Sequence, residues 1–149
     1  MGRTPRLTHV ALRVKNIEKS AAFYRKYLGL EVIAQRQEHK TRVAWLGNPR
    51  VKEDFVIVLL ELPYEASPQP SYDHFGLDLP TREAVDEYAA MAEADGLLEF
   101  GPETMGPVAN YLCLIRDPDG NGIEFSYGQD IESVLENHTA EKERGKGRI

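Results

Sequence analysis

Two histidines and two glutamates stand at matching intervals in this chain. His9 in "LTHVALRV" and His74 in "YDHFGLDLP" are 65 positions apart, and Glu61 in "DFVIVLLEL" and Glu124 in "NGIEFSYG" are 63 apart. Two neutral imidazoles and two carboxylates form a donor set for a divalent cation. Imidazole nitrogen with hard oxygen suits Ni, Co, Zn, Mn or Fe and leaves positions open for water or substrate. A thiolate site is excluded, because Cys113 is the one cysteine. Taken singly, each of the four would read as a solvated strand residue. The matched spacing argues for one site.

The elements that must carry these residues repeat with them. "LTHVALRV" alternates, with Val10, Leu12 and Val14 on one face and His9, Ala11 and Arg13 on the other, as a half-buried strand does. A helix follows, capped by Asn16, with Ile17, Ala21, Tyr24 and Leu28 as its apolar stripe and Gly29 at its end. "LEVIAQRQE", "TRVAWLG" and "DFVIVLLEL" predict three more strands, so the first module, about 7–62, is β-α-β-β-β. A proline-rich linker at 63–71 leads to a second module, about 72–128. There "YDHFGLDLP" is a strand, Thr81 caps a helix with Val85, Tyr88, Ala89 and Ala92 inward, and Asp95-Gly96 ends it. "LLEFG", "ANYLCLIR" and "NGIEFSYG" complete a second β-α-β-β-β. Each histidine lies on the strand face away from the core aliphatics, and Glu61 and Glu124 each follow and precede large apolar residues on the opposite face. If the modules face a common hollow, the four side chains converge.

Composition narrows the partners. The 149 residues are 42% apolar, enough for one ordinary globular domain, and the net charge of -6 with no basic stripe excludes nucleic acid and anionic membranes as partners, leaving a small molecule. No apolar run approaches the length of a membrane span or of a signal-peptide core, and the lone cysteine fits a reducing compartment, so the expected location is cytoplasmic. Cys113 sits among apolar residues and is read as core. His39 and His138 fit no pattern and are read as solvated. Asp117 and Asp119 in "RDPDGNGIEF" are explained by backbone hydrogen bonding in a tight turn. The tail from 129 carries Ile131, Val134 and Leu135 at helical spacing and then dissolves into charge.

The stretches "LTHVALRV", "SAAFYRKYLGLEV", "VLLEL", "YDHFGLDL" and "RDPDGNGIEF" together resemble the vicinal-oxygen-chelate superfamily of glyoxalase I, bleomycin-resistance proteins, fosfomycin-resistance enzymes and extradiol dioxygenases, over about residues 7–128. The resemblance implies an α+β fold in which two βαβββ modules form a cup-shaped mixed β-sheet around a metal site. It also implies the ligands His9, Glu61, His74 and Glu124. His9, His74 and Glu124 alone would match the two-histidine, one-carboxylate triad of a non-haem iron oxygenase. Glu61 as a fourth ligand resembles glyoxalase I, a lyase in which one divalent metal, Ni, Co or Zn here, stabilises an enediolate while a glutamate moves a proton between adjacent carbons. Glu124 is the expected base and Glu61 the alternate.

Arg13, four residues after His9, stands where an arginine of glyoxalase I helps to bind glutathione and can meet an anionic group bidentately. Trp45 and Met105 are candidates to line an apolar part of the pocket. Three features depart from glyoxalase I: Glu65 occupies the place of a glutathione-binding asparagine, the segment between Glu61 and His74 is short, and "GPETMGPVAN" lacks an expected lysine. Three classes of function remain open at this point. They are a glyoxalase-like lyase or isomerase, an Fe(II) ring-cleaving dioxygenase, and a metal-free binding module of the bleomycin-resistance kind. A homodimer is expected whether the site forms within one chain or between two swapped chains, to cover sheet edges and an apolar rim.

Overall fold

The computed structural model describes residues 7–38, 40–51, 55–63, 73–106 and 109–129. His39, His138, Glu65, most of the 63–71 linker and the tail from 130 lie outside the described residues. The element order is β1 (His9–Val14), α1 (Ile17–Leu28), β2 (Glu31–Glu38), β3 (Thr41–Gly47), β4 (Val56–Glu61), β5 (His74–Asp78), α2 (Arg82–Ala94), β6 (Leu98–Thr104), β7 (Tyr111–Arg116) and β8 (Gly122–Tyr127). This is β-α-β-β-β twice. Each set makes its own four-stranded sheet, in the orders β1-β4-β3-β2 and β5-β8-β7-β6. Two compact units result, one of Met1–Asp73 with Arg116–Asn121, the other of His74–Ile115 with Gly122–Ile149. The Arg116–Asn121 turn thus belongs to the first unit, although it follows β7 in the chain.

In the first unit β1 pairs parallel with β4, and β3 pairs antiparallel with both β4 and β2. A parallel pair cannot be closed by a tight turn, so the chain between them crosses over through α1. The Asn16 side chain accepts from the Lys19 amide at 2.8 Å, and Gly29, at φ +66°, takes the left-handed conformation that ends the helix. The buried face of α1 differs from the expected stripe. Ile17 and Tyr24 are buried as read, but Ser20, Phe23 and Tyr27 accompany them, while Ala21 and Leu28 are half-buried. Aromatic packing selects this face: the Phe23 ring meets Tyr24 edge-on at 5.1 Å and stacks on Tyr27 at 4.7 Å. Val14, Ala44, Leu46, Ile57 and Leu59, all 0–2% exposed, form the sheet side of this core. Each large apolar side chain so buried contributes about 1.5–3 kcal/mol.

Ser20 is buried in that face because it has a polar partner. Its hydroxyl donates to Asp119 Oδ2 at 3.3 Å, and the Lys15 amide donates to Asp119 Oδ1 at 3.0 Å. The Tyr24 hydroxyl donates to Asp117 Oδ2 at 2.8 Å, and the same oxygen accepts from the Asn121 side chain at 2.8 Å. Asp117 Oδ1 takes the amides of Asp119 and Asn121 at 2.8 and 2.9 Å. The two acids therefore do close a tight turn, as expected, with Gly120 at φ +87°, but they also bind it to α1. Both are buried, at 3% and 8% exposure, and every lone pair used is met by a neutral donor.

A third acid holds the start of the helix. Glu61 Oε2 accepts from the Ile17 amide at 2.9 Å, and Arg42 donates to both Glu61 oxygens at 3.2–3.3 Å while also pairing with Glu18. A carboxylate at the first turn satisfies an otherwise unpaired amide and opposes the helix dipole favourably.

In the second unit β5 pairs parallel with β8, and β6 antiparallel with β7. Thr81 caps α2 through its side chain, and Val85, Ala89 and Ala92 are buried as expected. Tyr88 stacks on Phe125 with ring centroids 4.3 Å apart. Cys113 is fully buried, and that burial pushes its thiol up to about 11, so it stays protonated and unreactive at neutral pH.

Substitutions at two positions test these anchors. Y24F removes one donor from a buried carboxylate and should cost roughly 1–3 kcal/mol in urea unfolding. Burial, reinforced by the Asp117 carboxylate, holds the Tyr24 phenol far above its ordinary value of 10.0. The folded state keeps a proton that the unfolded chain releases, so wild-type stability should fall as pH rises past about 10, and Y24F should lose that component of the decline. E61A should destabilise the metal-free protein by about 1 kcal/mol, and E61Q, which keeps an acceptor for the Ile17 amide, by less.

Candidate functional site

Parallel pairing puts His74 opposite Gly122 and Gly76 opposite Glu124, so all four lie on one face of the second sheet. His74 Nε2 is 3.2 Å from Glu124 Oε2. The pair is unequally exposed, the His74 side chain at 38% and the Glu124 side chain at 11%. Glu124 is held down by its neighbours: Ile123 and Phe125, at 0% and 1% exposure, anchor β8 from the opposite face. Gly76 brings no side chain to the carboxylate, and a Cβ there would stand in ordinary contact with it, 3.5 Å from Glu124 Oε1. The second oxygen has its own partner, for Gln129 Nε2 donates to Oε1 at 2.7 Å.

Gln129 was not legible as a site residue. It follows the strand, and it returns to Glu124 only because Gly128 adopts φ +77° and its carbonyl accepts from the Asn110 side chain at 2.9 Å. A Cβ at Gly128 would come within 2.5 Å of Asn110 Nδ2, so the turn needs glycine. The "YGQ" that ends the strand is the one trace of this in the sequence.

The donor pair suits a divalent cation. Two ligands about 2.1 Å from one ion, at octahedral to tetrahedral angles, are about 3.0–3.4 Å apart, and the observed separation lies in that interval as well as in the range of a direct histidine–carboxylate hydrogen bond. Among the described residues, no three His, Cys, Asp or Glu side chains gather closely enough to hold a metal ion.

The first unit arranges its pair differently. His9 is opposite Val56, whereas Glu61 is opposite Val14 at the far end of the same strand pair. Five steps along β4 are about 16 Å. The odd number also turns Glu61 to the other face, where it shares a side with Val14 and Leu59 and meets Ile17 and Arg42. The reading that Glu61 projects away from the helix is therefore corrected. In register terms the counterpart of Glu124 is Val58, because Glu124 lies two residues beyond the partner of His74 and Val58 two beyond the partner of His9. The structure brings together His74 and Glu124; it does not bring Glu61 to His9.

The remaining candidates are placed as follows. His9 Nδ1 lies 3.0 Å from the Thr8 hydroxyl, and its ring stacks on Trp45 with centroids 6.1 Å apart. The Arg36 guanidinium stands 5.7 Å from the Trp45 ring centroid. Arg13 is exposed on the face that carries His9, and its carbonyl accepts from Asn121 Nδ2 at 3.4 Å. Met105, just beyond β6, is 53% exposed. Among the described residues no helix is long and apolar enough to cross a membrane.

Comparison with known proteins agrees with this architecture. The uncharacterized protein PA2024 of Pseudomonas aeruginosa is 37% identical over 86% of this chain and 92% of its own length. A lactoylglutathione lyase of Salmonella typhimurium is 28% identical over 89% of this chain and 99% of its own. Among solved structures, the trypanothione-dependent glyoxalase I of Leishmania major superposes with a TM-score of 0.66 at 22% identity, covering 96% of this chain and 99% of that one. The fosfomycin resistance protein FosX of Listeria monocytogenes, complexed with Mn(II), gives 0.67 at 21%, covering 89% and 99%. These two share the fold. The model of the Glyoxalase/Bleomycin resistance protein/Dioxygenase superfamily matches residues 6–125, nearly the whole of both βαβββ modules, and the chain belongs to that superfamily.

Proposed function

We propose that this protein is a divalent-metal-dependent lyase or isomerase of the glyoxalase I type, acting on a small substrate with vicinal oxygens. The observation that carries the reading is the His74–Glu124 pair, an imidazole nitrogen and a largely buried carboxylate oxygen 3.2 Å apart. The lactoylglutathione lyases similar to this chain support it. His74 and Glu124 would hold the metal; His9 is a further donor on the strength of the sequence repeat. When bound, the ion supplies Lewis-acid stabilisation to negative charge developing on the substrate oxygens. Glu124 moves the proton between adjacent carbons, its low exposure keeping water from competing for it. Glu61, the alternate base and fourth ligand that the resemblance implies, is turned to the helix face by strand register and held there by Ile17 and Arg42, so it takes no part in this reading. Arg13 meets an anionic group of the substrate, and Trp45 and Met105 supply apolar lining. Val32 and Ile33, exposed on the edge strand β2, support a homodimer.

One observation favours a second reading. With Glu61 engaged by the helix, the sequence repeat leaves His9, His74 and Glu124 as candidate donors, the two-histidine, one-carboxylate set that an Fe(II) ring-cleaving dioxygenase would use.

Offering stripped protein Ni, Co, Zn, Mn and anaerobic Fe(II) separates the two. The lyase reading expects one metal per chain, abolished in H74A and E124A, and turnover of hemithioacetals without oxygen. Fe(II) binding lost in the same variants, with oxygen uptake on catechols and no hemithioacetal turnover, would establish the dioxygenase instead. Wild-type protein that takes up no metal would overturn both and leave a binding module.

A further inference from the structure

We propose that Gln129 is the positioning residue of Glu124, the group that decides which carboxylate oxygen serves the site. The inference rests on the metal-dependent reading above and adds a residue to it. Nothing in the covalent structure of a glutamate distinguishes Oε1 from Oε2, because the terminal torsion is broad and two-fold. Here the two oxygens are sorted. Oε1 accepts from Gln129 at 2.7 Å, and Oε2 faces His74 Nε2 at 3.2 Å.

The direction of the first bond follows from chemistry. An ionised carboxylate only accepts, so the amide must turn its NH2 group toward it. A donor on a charged acceptor at this distance is in the short, strong range. Gly76, paired with Glu124 across the strands, brings no donor to the carboxylate, and the polar partners the structure gives Glu124 are Gln129 on Oε1 and His74 on Oε2. Gln129 is itself fixed: the left-handed Gly128 reverses the chain, and the Asn110 amide holds the Gly128 carbonyl. The turn Gly128–Gln129, anchored by Asn110, thus commits Oε1 and leaves Oε2 as the one oxygen presented beside His74.

Cobalt(II) reads this directly, because its visible band reports the number and arrangement of its ligands. Stripped wild type, Q129M and Q129A are titrated with Co(II), and the melting of each metal-free protein is measured alongside. Methionine keeps the length of the side chain and removes the donor. The expected result is Co(II) affinity 10–100-fold weaker in both variants, with an altered band and metal-free melting close to wild type. A band and affinity unchanged in Q129M would overturn the role of Gln129 alone. So would metal-free variants that are both unfolded, since Gln129 would then be structural. Wild type that binds no Co(II) and none of the other ions would overturn the metal reading, and the role of Gln129 with it.

Discussion

Parallel pairing of the first and last strand of each module is the constraint from which the other features follow. It forces a crossover, and the crossover helix occupies one face of the sheet. The other face is left for side chains that the core does not claim. Because paired residues point the same way, register alone determines which side chains share that face. In the second unit register places Glu124 two residues beyond the partner of His74, and a donor pair results. In the first unit the same topology, with its acid five residues beyond the partner of His9, turns Glu61 to the helix. One fold has thus put two similarly spaced glutamates to different physical use.

Buried carboxylates are costly unless their lone pairs are met. This chain buries Asp117, Asp119 and Glu124 and meets each with specific donors. The two aspartates are surrounded by neutral donors, four on Asp117, and bind a turn to α1. Glu124 is different. One oxygen has an amide donor and the other faces an imidazole nitrogen at the more exposed end of the pair. A saturated carboxylate suits structure, and one with an oxygen turned to a titratable, metal-competent neighbour suits chemistry.

Membership of the superfamily does not by itself choose a reaction, because function resides in the site grafted on the fold. The nearly sequestered Glu124, its bond from Gln129 and its approach to His74 are properties of this chain's own site, as is the engagement of Glu61 by Ile17 and Arg42.

Alternation in "LTHVALRV" and "YDHFGLDLP", the caps at Asn16 and Thr81 and the glycine at 29 were enough to read both β-α-β-β-β modules, because strands and caps are set by neighbours in sequence. His74 and Glu124 were legible as a pair for the same reason: their alternation places both on the face away from Phe75 and Ile123. The face of Glu61 was not legible. "VIVLLEL" is apolar on both sides, so its sequence carries no period to say which way the acid points, and only pairing with Val14 decided it. The α1 stripe turned toward Phe23 and Tyr27 because three rings had to pack together, and the turn aspartates became anchors because Ser20 and Tyr24 lay beneath them. Gln129, five residues after Glu124, reached it through the left-handed glycine at 128 that follows the strand. The sequence alone determined the elements and their repeat, since those depend on local periodicity; the tertiary structure decided which acids face a histidine, since that depends on register between strands some fifty residues apart.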